Sequence, residues 1–289
     1  MKKPIFLCLI VLLLGGCSDF SVEQFSPPTP SSSPEVIPQS LSRLSSTSCP
    51  EKPGQLLSGN TQSLSFTGDR PNSTISGEVR PDRQLGYTFS PRSGSQLKYQ
   101  VNNDKICIWL YDPALKLMNA GQIQSTDIQS FDLTENSQYT LQVSALKGTQ
   151  EFELGMVVLM PLSETEAFEL IKEWLAAKSK IFARPYDMSL AAKFTTGKRY
   201  EDARGSVQWL KDYNAEWKYL SQSIKPTGTF SSNLDEAMIE VIVTEDRALY
   251  INGELDYNHT TFGAETSRDR FNLRRGEDGW KTSSYESLN

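Results

Sequence analysis

The chain has 289 residues, enough for two ordinary domains, and an ordinary globular composition with 22% charged and 10% aromatic residues. Its formal net charge of -6 leaves no basic face for phosphates, which argues against nucleic-acid binding and against a polybasic membrane patch. One histidine and four cysteines are too few to build the common metal and catalytic signatures on top of the cysteine roles described below.

Met1-Lys2-Lys3 supplies a positive start, and residues 5–14 form an uninterrupted apolar run. A helix needs roughly 20 apolar residues to cross a bilayer, so this run has the length of a signal-peptide core and not of a span. It ends in Leu14-Gly15-Gly16-Cys17, which resembles the lipobox of bacterial lipoproteins. The resemblance implies that residues 1–16 are removed and that Cys17 is acylated. The chain would then be a membrane-anchored lipoprotein on the extracytoplasmic, periplasmic side. Several acyl chains on one cysteine anchor firmly, at about 0.8 kcal/mol per buried methylene.

Residues 17–48 read as a tether. Eleven serines and five prolines fill the 31 positions from Ser18 to Ser48, and such a segment cannot bury enough surface to offset its chain entropy. Of the four cysteines, Cys8 leaves with the signal and Cys17 takes the lipid. Cys49 and Cys107 remain in a compartment that permits disulfides. A bridge between them would pin the end of the tether to the first domain; two unpaired thiols are the alternative.

Residues 49–160 read as short strands with frequent turns. The candidates are 63–66, 73–80, 87–89, 96–101, 105–111, 130–133, 138–144 and 151–159, separated by signals such as Gly68-Asp69, Pro81-Asp82 and Asp112-Pro113. "YTLQV" shows the alternation of a half-buried strand. Strands of this spacing predict an all-β sandwich. "ISGEVRPD", "GYTFSPRSGSQLKYQV", "ICIWLYDP" and "NSQYTLQV" resemble the pre-peptidase C-terminal type of sandwich, an accessory module of secreted proteins. Asn102, Asn103 and Asp104 lack calcium-loop spacing and read as a turn.

At residue 161 the period changes. Ser163 and Glu166 form a capping box, and Phe168, Ile171, Trp174, Leu175, Ile181 and Phe182 follow helical spacing until Pro185. A short helix from Asp187 and a third over about residues 198–213 follow. Alternation then returns in "EWKYLSQSI", "EAMIEVIVTEDRALYING", "RDRFNLRR" and "GWKTSS". Three helices followed by an antiparallel curved sheet make an α+β domain over residues 161–289. "EWLAAKSKIF", Trp209, "EWKYLSQSIKP", "EVIVTEDRALYINGE" and "RFNLRRGEDGWKTSSYE" resemble the ARC6-like IMS domain of cyanobacterial and plastid-division proteins. That resemblance implies an NTF2-like cone that binds partner-protein tails outside the cytoplasm, and a cyanobacterial source. The histidine usual after the family's first helix is missing from "ARPYDMSL".

No His-Glu-x-x-His, G-x-S-x-G, P-loop or dinucleotide fingerprint is present. His259 reads as an exposed loop residue. Lys178 reads as a side chain that lays its methylenes on the core edge with the ammonium in water; the sharper alternative is a cation at a cavity rim. Trp174, Lys178, Trp209, Trp217 and Tyr219 are the candidate ligand groove. Arg268, Arg270, Arg274 and Arg275 read as a solvated edge strand with acid partners. The expected function is non-enzymatic binding or scaffolding, without cofactor or metal. The C-terminal domain would capture a protein segment or an apolar ligand, and the resemblance implies a link to cell division or envelope assembly. The competing reading is an enzyme with a single buried carboxylate, for which Glu240 and Glu245 are the candidates, both expected near solvent.

Overall fold

Eight strands make up the first part of the chain: β1 (Thr61–Ser63), β2 (Asn72–Val79), β3 (Leu85–Phe89), β4 (Ser95–Val101), β5 (Ile106–Tyr111), β6 (Gln129–Leu133), β7 (Tyr139–Ala145) and β8 (Gln150–Leu159). The structure is a computed structural model and describes residues 48–55, 58–66, 72–118 and 127–288. The signal segment, Cys17, nearly all of the tether and the Gly68-Asp69 turn lie outside the described residues.

The strands form two four-stranded sheets, in the orders β1-β3-β7-β5 and β2-β8-β4-β6. Every pairing is antiparallel except β1 with β3. The pleat explains the burial. In β4, Ser95, Leu97, Tyr99 and Val101 are buried and the residues between them less so. Inward residues of both sheets share one core, including Phe89, Leu97, Tyr99, Ile108, Leu141 and Leu154. β5 departs from alternation because both its faces are covered. Ile106, Ile108 and Leu110 face the shared core. Cys107 lies on the other side and is bonded to Cys49. The incoming segment follows the same face, where the Gln142 side chain donates to the Gly54 carbonyl at 2.9 Å.

Three helices follow: α1 (Glu164–Ile181), α2 (Met188–Phe194) and α3 (Gly197–Asp212). Ser163 caps α1 through the Glu166 N–H, and Glu166 returns the bond to the Ser163 backbone. Asp187 caps α2 through the N–H groups of Ser189 and Leu190. A five-stranded antiparallel sheet completes the chain: β9 (Ala215–Ser232), β10 (Glu236–Ile251), β11 (Glu254–Asp256), β12 (Glu265–Gly276) and β13 (Gly279–Ser287). β10 lies between β9 and β12 along most of its length, and β13 pairs with β12.

The helices and this sheet build a second, separate core around Ile171, Trp174, Ile239, Val241, Phe271 and Leu273. Ala237, Ile239, Val241 and Val243 share its inward face. β12 is an interior strand, so the expected edge position of its arginines is corrected. Their acid pairs are real: Arg268 and Arg270 flank Glu240, and Arg274 meets Glu236.

The junction between the two parts is tied from both sides. Arg92, ahead of β4, donates to the Pro161 carbonyl at 2.5 Å and to both oxygens of Glu166 at 2.6 and 2.9 Å. Arg275, at the end of β12, donates to the carbonyls of Met160 and Leu234. Glu166 thus serves the helix cap and the first sheet region at once. Burial works to raise its pKa, but the bonds from Arg92 and Ser163 outweigh that and hold it below the ordinary glutamate range.

Candidate functional site

A pocket of about 620 Å³ opens between α1, α3 and the helix-facing side of the second sheet. Helical spacing builds its first wall. Trp174, Lys178 and Phe182 stand four residues apart on one stripe, and all three line the space. Trp217 and Tyr219 reach it from β9, Val243, Glu245 and Arg247 from β10, and Asp269 and Phe271 from β12. Each set is spaced by two, as a pleated strand requires.

A bulge sets the mouth of this wall. Tyr219 pairs with Arg247 and Ser221 with Asp246, leaving Leu220 as the extra residue. Leu220 and Ser221 are both exposed, and Gln222 turns inward to donate to Glu245 at 2.8 Å. Ser221 therefore does not share a face with Trp217 and Tyr219, as simple alternation predicts.

Lys178 does not extend its ammonium into water. Nζ lies 2.5 and 2.6 Å from the two oxygens of Glu245, with the side chains 12% and 13% exposed. It also lies 4.9 Å from the centre of the Tyr219 ring. Burial pushes the Lys178 pKa down, and the Glu245 charge opposes that shift. The same two influences, burial first and then Glu245, push the Tyr219 phenol far above its ordinary value.

Two further cations line the space. The Arg199 guanidinium, in the first turn of α3, sits 5.2 Å from the Trp174 ring and 4.8 Å from the Tyr285 ring. Burial lowers its pKa. Arg247 lies 5.1 Å from the Trp217 ring. Asp269 is the buried acid of the site at 5% exposure. Ser267 donates to its Oδ2 at 3.1 Å, and Oδ1 has no hydrogen-bond partner. Burial raises its pKa, against the pull of Ser267 and Ser287.

Four of the five expected groove residues, Trp174, Lys178, Trp217 and Tyr219, come together here. Trp209 does not; it is 40% exposed and stacks on Tyr213 at 4.8 Å. Trp174, at 1% exposure, is as much core as wall. Of the two carboxylates named for catalysis, Glu245 is the inward partner of Lys178 and not a solvent-facing group. Glu240 lies on the opposite face of the sheet, where Arg270 and Arg268 cover it and hold its pKa down. Its residue is 3% exposed because two guanidiniums lie over it, not because it enters the core. Cys49 and Cys107 lie far outside this site, in the first part of the fold. His259 is a loop residue bonded to Asp256 at 2.7 Å.

Arg199, Arg247 and Asp269 escaped the sequence reading, although the signal was present. Arg199 stands four residues before Ala203 on the inward stripe of α3. Arg247 continues the step of two from Val243 and Glu245, and Asp269 precedes Phe271 and Leu273 by the same step. Among the described residues, no group of three or more His, Cys, Asp or Glu side chains is arranged to hold a metal ion, and no helix is long and apolar enough to cross a membrane.

Residues 167–283 match the family model of the ARC6-like, IMS domain. No curated protein matches the chain. Among solved structures, the chain is similar to the intermembrane space region of the chloroplast protein ARC6, at 14% identity over 44% of this chain and 97% of that one, with a TM-score of 0.38. It is also similar to PliG of Aeromonas hydrophila, a periplasmic inhibitor of g-type lysozyme, at 13% identity over 34% and 96%, with a TM-score of 0.30. A third similarity is to the pre-peptidase C-terminal domain of a Bacillus anthracis collagenase, at 23% identity over 34% and 92%, with a TM-score of 0.26.

Proposed function

We propose that this chain is a non-enzymatic, extracytoplasmic binding protein, anchored through a lipid on Cys17, whose C-terminal domain captures a segment of a partner protein. In this reading residues 49–160 are a β-sandwich and residues 161–289 an NTF2-like cone. The observation that carries it is the pocket: about 620 Å³ of space walled by aromatic rings and rimmed by charge. Deep aromatic walls and arginines are the features that anchor binding partners. The family match over residues 167–283 supports the choice of a protein segment as the ligand and a role in cell division or envelope assembly. The Arg92 and Arg275 ties give the first region a task in this reading: it holds the start of α1, and with it one pocket wall, in place.

Pocket-wall variants test the proposal if they spare the core. Trp174 is unsuitable because truncating a fully buried tryptophan costs about 3–5 kcal/mol. Lys178→Glu would set two carboxylates against each other. Trp217→Ala and Tyr219→Ser alter the wall at partly exposed positions. Crosslinking capture from native membranes with the full chain should yield a partner that both variants lose while remaining folded. Equal capture by folded variants removes the pocket from the reading, and capture of nothing by the native chain removes the protein partner.

A second reading keeps one supporting observation. Asp269 is a buried carboxylate of raised pKa inside the pocket, the arrangement an acid–base catalyst uses. Partner capture that survives Asp269→Asn separates binding from that chemistry.

A further inference from the structure

The loop after β11 presents two aromatic rings to water. Tyr257 and Phe262 are 70% and 74% exposed, and their rings stack 5.9 Å apart. The backbone between them is tied down. The Thr261 N–H donates to the Arg247 carbonyl at 2.9 Å, and the Thr261 hydroxyl accepts from the Arg247 N–H at 2.8 Å. The Thr260 hydroxyl accepts from the Leu249 N–H at 3.2 Å and donates to the Asp256 carbonyl at 2.7 Å. The Asp256 side chain accepts the Asn258 N–H at 2.9 Å and meets His259. Single exposed apolar side chains are ordinary on a protein surface. A stacked pair is different when the loop that carries it is pinned on both sides, because the rings cannot fold back onto the core without breaking these bonds.

A third apolar side chain stands at the same end of the sheet. Arg247 has Tyr219 of β9 on one side and Thr261 of the loop on the other. Leu220, the extra residue of the bulge, is exposed next to Tyr219. Neighbouring strands lie about 4.8 Å apart, so Leu220 and the aromatic loop bracket one short stretch of β10. Residues 257–264 contain no Asp, Glu, Lys or Arg. Size and composition choose what covers this tip. Three side chains fall far short of the roughly 800 Å² that each partner gives to a stable protein interface. An uncharged tip carrying Tyr and Phe suits the bilayer interface, where aromatic rings sit at the level of the headgroups. Chain length points the same way. The 31 positions from Ser18 to Ser48 separate Cys17 from Cys49, which is bonded to β5. A chain of that length spans at most about 100 Å. A lipid on Cys17 would thus hold the tip near the membrane at an effective concentration on the order of 1 mM, where even a weak contact is populated.

We propose that the Tyr257–Phe262 loop, with Leu220, is a membrane-contacting tip that enters the interfacial layer of a phospholipid bilayer and fixes how the C-terminal domain stands on it. Arg247, between these side chains, also lines the pocket, so the contact turns the mouth of the pocket toward the bilayer. The inference rests on the reading of the chain as anchored through Cys17 and is independent of what the pocket holds.

The test is quenching of tryptophan emission by nitroxide-labelled lipid, with the full chain reconstituted in phosphatidylcholine vesicles. Phe262→Trp places a reporter on the tip. Leu115→Trp places one in the turn after β5, at an equally exposed position in the first part of the fold. The native chain supplies the background of its five tryptophans. A nitroxide high on the acyl chain should quench the reporter at position 262 at least about 3-fold more strongly than the one at position 115, as expected of a ring buried at the headgroup boundary. Adding Tyr257→Ser and Leu220→Ser to the Phe262→Trp chain should bring its quenching down toward the Leu115→Trp level. These are surface substitutions, and urea unfolding should show each variant folded. About 0.5 M salt should leave the quenching unchanged, because apolar burial is not screened. Mass spectrometry of the chain taken from its native membranes reads acylation of Cys17 separately.

Equal quenching at positions 262 and 115 means that the domain only tumbles near the membrane, and it overturns the proposal. Full quenching at position 262 in the chain that also carries Tyr257→Ser and Leu220→Ser overturns the assignment to these side chains. Quenching that requires phosphatidylglycerol and disappears in salt assigns the contact to charge and overturns the apolar tip. A blue-shifted reporter at position 262 that lipid nitroxides do not quench, and whose shift grows with chain density in the vesicles, assigns the tip to a second copy of the chain and overturns the membrane. If Cys17 is acylated and positions 262 and 115 are quenched alike, the anchor reading stands and this inference alone falls. If Cys17 carries no lipid and position 262 is still quenched selectively, the anchor reading falls and the tip stands.

Discussion

The two halves of this molecule bury different things. The β1–β8 half buries apolar side chains and a few uncharged polar ones, including Gln84, Gln142 and Ser144. Gln142 donates to both Gln84 and the Gly54 carbonyl, so that polar patch closes on itself. The second half buries carboxylates: Glu240 on one face of its sheet and Asp269 on the other. It also sequesters Lys178, Glu245 and Arg199 around an open space. Charge is expensive to remove from water, and a fold that needed only stability would do better with apolar residues. In the proposed reading the first half is a support, and the buried charges of the second serve what enters the pocket.

Three changes separate the halves, and the largest effect belongs to the buried pair. Lys178→Met or Glu245→Leu alone should cost about 3–5 kcal/mol in urea unfolding, because each leaves its partner's charge uncompensated. The double variant should recover most of that loss. A double variant as damaged as either single one would show the pair to be a net source of stability and would blur the contrast between the halves. The disulfide comes next. Cys49→Ala opens a loop whose ends lie 58 residues apart, worth up to about 4 kcal/mol on a chain-entropy estimate. The loss should fall on the first half, read by hydrogen exchange of β3, β5 and β7, with β10 and β12 protected as before. Equal loss of protection in both halves would mean that the Arg92 and Arg275 ties make them one cooperative unit.

The sequence exposed periodicity better than partnership. The helix boundaries at Ser163 and Asp187 were legible because capping is a local matter of side chain and nearby N–H groups. The inward face of β10 was legible from Ala237 to Val243 for the same reason. What one strand does opposite another was not. The length of β9 was hidden because the alternation read in "EWKYLSQSI" ends at Ile224, before Pro226 and Gly228, whereas the strand runs to Ser232. In the fold they sit in an irregular stretch, where Thr227 reaches the Glu240 carbonyl at 2.9 Å. The environment of Lys178 was hidden because its partner is 67 residues away. Trp209 was misplaced by composition: a tryptophan in an amphipathic helix suggests a wall, yet its position on α3 points it outward to Tyr213.

Asp269 gives the smallest effect and the cleanest separation, because its sign is opposite to that of an ordinary stabilising carboxylate. Burial raises its pKa above the usual aspartate value of 3.8. The folded state therefore holds this proton more tightly than the unfolded state does. Its contribution to stability is fully present below the unfolded pKa and is lost as pH rises through the folded one. Oδ1 of this carboxyl is buried without a hydrogen bond, which makes ionisation in the folded state unfavourable. Asp269→Asn keeps the shape and removes the charge, so it should raise stability at pH 7 by roughly 1 kcal/mol, the scale of one unmade hydrogen bond. The gain should shrink to nothing below about pH 4, measured as the difference in urea midpoints between the native chain and the variant. The opposite slope is expected for Glu166, whose lowered pKa stabilises above the unfolded value and fails in acid. A loss of stability in Asp269→Asn at pH 7 would mean that the ionised carboxylate is already satisfied by Arg199 in solution.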